Sequence, residues 1–344
     1  MQHKLGTPYE EYLYSRIKTE PDPEVDEGSS SSGFWGKPVP DLDPRLIDPI
    51  TGNFRADIRE EILNRLYGFW SKLYAEPETW STVWCAGSAL SHQYMEHEQP
   101  DLDILIGVDY DKFYAANIQF AGTSQGALSE RFNDEFRRLL DPETANLFGG
   151  FEVTFYVNPG ATNITDINPY AAFNLSDNTW TVSPVDVPPD WDPRTYFPQE
   201  WWKTIDAEID NARLTVHQYD SIADQVRRSK PGSLMQMSGL AQLRGVAKRA
   251  TDQFMDIHSK RKLAFSPQGA GYFDYFNLRW QAHKKAGTVK ALHDIAVVNQ
   301  EATSAQDAAL YGGPVDSATK ALLKAQLWNQ TYGSPAWYRK RLQG

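Results

Sequence analysis

Val83-Trp84-Cys85-Ala86-Gly87-Ser88-Ala89-Leu90 and Pro100-Asp101-Leu102-Asp103-Ile104-Leu105-Ile106 are the two stretches whose reading decides the fold, and the twelve residues Ala89–Pro100 separate Ser88 from Asp101. Both are strongly apolar and read as strands. Successive side chains of a strand point to opposite faces, so Asp101 and Asp103 project together while Leu102 and Ile104 enter the core. A third carboxylate stands in Phe151-Glu152-Val153-Thr154-Phe155-Tyr156-Val157. Each acid is flanked by apolar residues and so is expected in a buried strand, where a carboxylate is costly unless paired or metal-bound. Without a cation, three clustered carboxylates repel one another and favour protonation. Mg²⁺ takes oxygen ligands, keeps waters, and is usually held by one or two carboxylates plus substrate phosphates. Asp101, Asp103 and Glu152 are therefore candidate ligands for Mg²⁺ (or Mn²⁺), and two such ions about 4 Å apart suit displacement at a phosphorus centre.

Gly87 and Ser88 supply the other half of the expected site. Glycine permits a tight turn and close approach of a phosphate to the backbone. Ser88–Glu96 reads as a short helix, whose free N–H groups would attract an anion while the Ser88 hydroxyl donates to a phosphate oxygen. Neither a Walker motif nor a Gly-x-Gly-x-x-Gly run after a strand is present.

Outward from this pair, Asn53–Ala75 reads as an amphipathic helix, with Ile58, Ile62, Leu66, Phe69 and Leu73 on one side. Trp80–Ala86, Leu102–Val108 and Phe151–Val157 read as three strands, Ser129–Leu140 as a helix, and Trp180–Val182 as an edge strand. Five prolines between Pro184 and Pro198 mark a boundary loop. Beyond it, helices are expected over Trp202–Val226, Leu234–Leu263, Tyr272–Lys285, Thr288–Glu301 and Ala318–Asn329. The expected architecture is an α/β (α+β) core with a small mixed sheet at 46–198, followed by an all-helical domain at 199–344. Residues 1–45 read as a disordered acidic tail, with Gly28–Gly33 a flexible linker and Tyr9–Ile17 a weak helix.

A chain of 344 residues with 41% hydrophobic content can bury a large core. No apolar run reaches the length of a membrane span, and the start of the chain lacks a signal-peptide pattern, so a cytoplasmic protein is expected. The single cysteine, Cys85, excludes an internal disulfide and a Cys-based zinc site. The net charge of −11 argues against a nucleic-acid partner, but its distribution does not. Between Arg227 and Lys290 stand 13 Lys/Arg against three acids, Asp252, Asp256 and Asp274; that window is +10 and the remainder −21. The basic window suits a local anion site for triphosphate, RNA or DNA. The alternative is a solvated helix face balancing the acidic half.

A strand ending in Gly-Ser, a short spacer, Asp-x-Asp on a second strand and a later acid in an apolar strand resemble the signature of the polymerase β-like nucleotidyltransferases. The resemblance covers about residues 80–157. It implies that Gly87 and Ser88 hold the triphosphate, that Asp101 and Asp103 bind the metals, and that Glu152 completes the site and assists the attacking hydroxyl. Lys262-Leu263-Ala264-Phe265-Ser266-Pro267 through Tyr275, Asn277, Trp280, Lys284 and Lys285 looks like the accessory helical domain of nucleotidyltransferases from tailed phages of actinobacteria. It further implies that cations of the helical part reach the triphosphate, with Arg244, Lys248, Lys284 and Lys285 the candidates.

The resulting expectation is a metal-dependent, ATP- or other NTP-binding enzyme. It moves a nucleoside monophosphate to an acceptor hydroxyl, RNA among the possible acceptors, and releases pyrophosphate. The competing readings are a non-catalytic nucleotide- or RNA-binding module on the same fold and a structural interaction protein. Asp109 and Asp111 read as a loop or helix start, His92 as a residue bordering the site, and His217, His258 and His293 as structural or surface groups.

Overall fold

The computed structural model describes residues 7–19, 33–94, 101–158 and 162–311. The second half of the spacer, the 20–32 tail and the expected helix at Ala318–Asn329 lie outside these residues. In chain order the helices are α1 (Pro8–Thr19), α2 (Ala56–Trp70), α3 (Pro77–Trp80), α4 (Tyr110–Ala116), α5 (Gln125–Glu135), α6 (Asp141–Thr144), α7 (Pro193–Tyr196), α8 (Gln199–Arg228), α9 (Leu234–Ala264), α10 (Tyr275–Lys285) and α11 (Thr288–Tyr311). The strands are β1 (Ser81–Ala86), β2 (Asp101–Val108), β3 (Glu152–Val157), β4 (Ala172–Asn174) and β5 (Thr179–Val182). A mixed α/β region with one five-stranded sheet thus precedes a long helical region.

The sheet runs in the order β3-β2-β1-β4-β5. β1 pairs antiparallel with β2 and β4, β4 pairs antiparallel with β5, and β2 pairs parallel with β3. One face carries Val83, Cys85, Leu102, Ile104, Ile106, Val153, Phe155 and Phe173 into the main core, against buried side chains of α2, α4 and α5. That core is aromatic: Trp70 and Trp80 lie 4.8 Å apart, Trp70 and Phe132 5.5 Å, and Trp80 meets Phe113 edge-on at 5.0 Å. Burial of such rings contributes most of the local stabilisation.

β3 is an edge strand, and its outer backbone groups are answered by side chains rather than by another strand. Asn133 accepts from Val157 N at 2.8 Å and donates to Val157 O at 2.9 Å, while Thr144 donates to Val153 O at 2.7 Å. Asp141 accepts from Phe155 N at 3.3 Å. These bonds satisfy polar groups that would otherwise be buried unpaired or open to pairing with another chain.

By internal packing the chain forms two units interleaved in sequence: Asp26–Ile209 with Asp256–Gly287, and Met1–Val25 with Asp210–Met255 and Thr288–Gly344. The first contains the sheet, and it takes in the end of α9 and all of α10. There Asn168 donates to Ser266 O at 2.9 Å and Gly269 O at 3.0 Å, and Tyr170 donates to Asn277 at 2.8 Å. In the second unit Tyr9 of α1 donates to Asn299 of α11 at 2.6 Å, Arg227 donates to Ile17 O at 3.1 Å, and Arg244 lies 4.5 Å over the Tyr9 ring.

Two local expectations change. Within the region 1–45 expected to be disordered, Pro8–Thr19 forms α1, Phe34 is buried against Trp191, Phe197 and Tyr272, and Asp43 is buried. Of the expected Ser88–Glu96 helix, the described residues 88–94 form a single 3-10 turn, Ser88–Leu90. Ser91 ends it, because its backbone N–H and hydroxyl both turn back to Ser88 O, at 3.1 and 2.7 Å, in competition with helix propagation.

Candidate functional site

The sheet face away from the main core divides into two zones. One end is apolar, where Trp84, Ala86, Ile164 and Ala172 pack together with Leu105, Ile167 and Val182. The other end carries the acids. Asp101, Asp103 and Glu152 are all exposed, while the intervening Leu102, Ile104 and Val153 are buried. The expectation of buried carboxylates is therefore corrected: the apolar flanking residues point to the core face, and the acids stand at the strand starts on the open one.

Strand pairing determines who meets whom. Asp101 is in register with Glu152, and Asp103 with Thr154 on β3 and with Ala86 on β1. The residue after Ala86 is Gly87, whose φ of 98° and ψ of −161° suit glycine alone. A β-carbon there would lie 3.1 Å from Asp103 Oδ2. The Gly-Ser turn and the Asp-x-Asp strand thus meet at one point, and Ser88 beside them is exposed.

Asp103 is open to solvent by area, yet protein packed about its carboxyl withdraws it from bulk water. That desolvation raises its pKa, and the neighbouring charge of Asp101 raises it further; the facing Arg261 cation and the Thr154 hydroxyl, 3.4 Å away, act in the opposite sense. Glu152, on the far side of Asp101, places its charge on Asp141, whose pKa burial raises first and Glu152 raises further. Among the described residues no three His, Cys, Asp or Glu side chains gather into a metal-holding group. The three acids are aligned by register, with Asp101 and Asp103 the closely interacting pair.

The donor chemistry of this pair can be tested against a cation. It is oxygen only, sets two carboxylates side by side with the charge of Asp101 raising the proton affinity of Asp103, and lies on an open face. Those properties fit a hard divalent cation such as Mg²⁺ or Mn²⁺ that brings waters and phosphate oxygens as its remaining ligands.

Arg261, near the end of α9, is the cation that the sequence reading passed over. It stacks on Trp280 of α10 at 4.9 Å and on Phe265 at 5.7 Å. Its charge bears on both Asp103 and Tyr170, and its Nε is buried without a hydrogen-bond partner. In the sequence it was one of three consecutive cations, Lys260-Arg261-Lys262, with nothing to separate it from a solvated helix face. The signal that could have singled it out is the aromatic pair Phe265 and Trp280.

The four basic residues chosen from sequence have these surroundings. Arg244 covers Tyr9, and Lys248 pairs with Asp252 at 2.6 Å, both within the second unit. Lys285 lies 4.3 Å over the Trp35 ring in the first unit. Lys284 is exposed, one helical turn beyond Trp280 on the helix face where Arg261 stacks. Much of the basic window is engaged locally: Arg227 and Arg228 pair with Asp224, Lys260 with Asp256, and Arg279 with Glu208 and Asp256. His92 is held by Val39, its Nδ1 3.1 Å from Val39 O. Asp109 caps α4, accepting from Lys112 N at 3.1 Å, as a helix-start residue should.

No family model, no curated protein and no solved structure matches this chain. Among the described residues no helix is long and apolar enough to cross a membrane.

Proposed function

We propose that the chain is a metal-dependent nucleotidyltransferase, moving a nucleoside monophosphate from an NTP to an acceptor hydroxyl. The observation that carries the reading is the meeting of Gly87-Ser88 with Asp103 across the β1–β2 pairing, on an open face that also presents Asp101 and Glu152. Asp101 and Asp103 would hold the divalent cation, with Glu152 beside Asp101. When bound, such a cation neutralises phosphate charge and favours the alkoxide form of an attacking hydroxyl.

The protein groups have separate roles in this scheme. Gly87 lets phosphate oxygens approach the backbone, and the Ser88 hydroxyl donates to them. Arg261 places a positive charge against the same anionic substrate, held in direction by Trp280 and Phe265. The acceptor oxygen forms a bond to the α-phosphorus, the bond from that phosphorus to the bridging oxygen breaks, and pyrophosphate leaves. Glu152 takes the acceptor's proton. RNA as acceptor is supported by the exposed Lys284 and Lys285 on α10.

A second reading, a nucleotide- or RNA-binding module without catalysis, draws on the lack of a three-ligand group among the described residues. Pyrophosphate release measured with each NTP, Mg²⁺ and a panel of RNA and small hydroxyl acceptors separates the two. Release that disappears in Asp101→Asn and Asp103→Asn supports the transferase. Tight NTP binding with no release from any acceptor selects the module.

A further inference from the structure

The loop that follows Ser88 is fastened by a glutamine with no role in the chemistry above. Gln93 is 4% exposed and uses both ends of its amide. Its Nε2 donates to Gly36 O at 2.5 Å and to Phe34 O at 3.4 Å, and its Oε1 accepts from the Tyr272 hydroxyl. Its backbone N–H donates to Ser91 Oγ at 3.3 Å, and that hydroxyl donates to Ser88 O at 2.7 Å. A continuous chain of hydrogen bonds therefore runs from Tyr272 through Gln93 and Ser91 to Ser88.

The segment Gly33–Val39 completes the clamp. A β-carbon at Gly33 would collide with the Gln93 carbonyl, so this backbone lies directly on the loop. Val39 N donates to His92 O at 2.7 Å. Phe34 is anchored in turn: its ring is 5.0 Å from Tyr272, and its carbonyl also accepts from Trp191 Nε1 at 2.7 Å. Among the described residues of the loop, helical backbone is limited to the 3-10 turn Ser88–Leu90.

We infer that Gln93, clamped between the Gly33–Val39 segment and Tyr272, is a positioning residue that fixes the Gly87-Ser88 turn for phosphate binding. This rests on the nucleotidyl-transfer reading of that turn. Fixing the loop before substrate arrives spares the ordering cost on binding, so loss of the clamp acts on nucleotide affinity more than on the bond-making step.

The test uses the full chain and Gln93→Met and Tyr272→Phe, which keep volume and remove the hydrogen bonds. Tyr74→Phe is the control; it loses a 2.7 Å hydrogen bond to Glu135 in the main core, away from the loop. Each variant is titrated with each of the four NTPs in Mg²⁺, KM and kcat for pyrophosphate release are measured, and amide hydrogen exchange is followed across residues 86–94. The clamp predicts Kd and KM raised about threefold to tenfold in both loop variants, kcat near wild type, and faster exchange in 86–94. Tyr74→Phe should change thermal stability with nucleotide affinity unaltered. Unchanged affinity in Gln93→Met and Tyr272→Phe overturns the inference, as does equal weakening in Tyr74→Phe. Should wild type bind no NTP, the transferase reading fails by itself. Exchange then decides the clamp: faster exchange in 86–94 supports it, and unchanged exchange overturns it.

Discussion

Gly87 lies against Asp103 so closely that a β-carbon at position 87 would stand 3.1 Å from Asp103 Oδ2. The turn and the acid strand are therefore built to one another, and the glycine also holds a φ of 98°. Gly87→Ala is expected to lose about 1–3 kcal/mol of stability through backbone strain. It should also displace Asp103 and remove Mg²⁺-dependent nucleotide binding. Urea unfolding and calorimetric titration with Mg²⁺ and NTP measure the two effects separately.

Arg261, near the end of α9, bears on Asp103. Arg261→Met should lower kcat/KM for NTP by about a hundredfold, the scale measured for loss of one preorganised group that stabilises developing negative charge. Arg261→Lys should recover only part of that, because stacking on Trp280 and Phe265 orients a planar guanidinium and not an ammonium. Steady-state kinetics of the two variants, with circular dichroism to verify folding, decides this.

Asn133 seals the edge of the sheet with two hydrogen bonds to Val157. Asn133→Ala leaves a buried N–H and C=O on β3 without those partners, and should cost about 2–3 kcal/mol. The expected readout is a lower urea midpoint together with faster amide exchange at Val157.

Arg279 is buried between Glu208, at 2.6 Å, and Asp256, at 2.7 Å. Burial alone would raise both carboxyl pKa values, but hydrogen bonds and charges outweigh it, from His283 and Arg279 at Glu208 and from Lys260 and Arg279 at Asp256; both values are lowered. Because the folded values lie below 4.5 for Glu208 and 3.8 for Asp256, their stabilisation is complete above those values and lost as pH falls through the lower folded ones. Arg279→Met should cost about 2–3 kcal/mol at neutral pH, less than a fully buried pair because both carboxylates keep part of their surface in water. It should also flatten the acid limb of stability against pH, measured by urea unfolding from neutral to acid.

The strands and the acid pair were legible because their signal is local. Apolar alternation around Asp101 and Asp103 assigns the strand, and the i, i+2 spacing assigns a shared face. β4 was not legible: Ala172-Phe173-Asn174 is only three residues long and buried throughout, so it has no alternation to read. The 88–96 segment has helix-compatible spacing, but Ser91 hydrogen-bonds back to Ser88 and stops it. Ser129–Leu140 read as one helix, whereas α5 starts at Gln125 and passes into a π turn at Phe136–Leu140. Arg261 was hidden for a different reason. A basic residue's role depends on what its helix packs against, and the stacking on Trp280 is a tertiary contact. Charge pattern alone likewise did not show that Arg244 covers Tyr9 or that Lys248 pairs with Asp252.

The central claim is nucleotidyl transfer at Asp101 and Asp103, and the fate of two labels tests it most directly. The full chain is incubated with Mg²⁺, RNA and the small hydroxyl acceptors, using NTP labelled at either the α or the γ phosphorus. The account predicts that α label becomes covalently attached to an acceptor while γ label leaves as pyrophosphate, and that Asp103→Asn abolishes both. Retention of both labels in intact NTP with every acceptor, or transfer undiminished in Asp103→Asn, would contradict it.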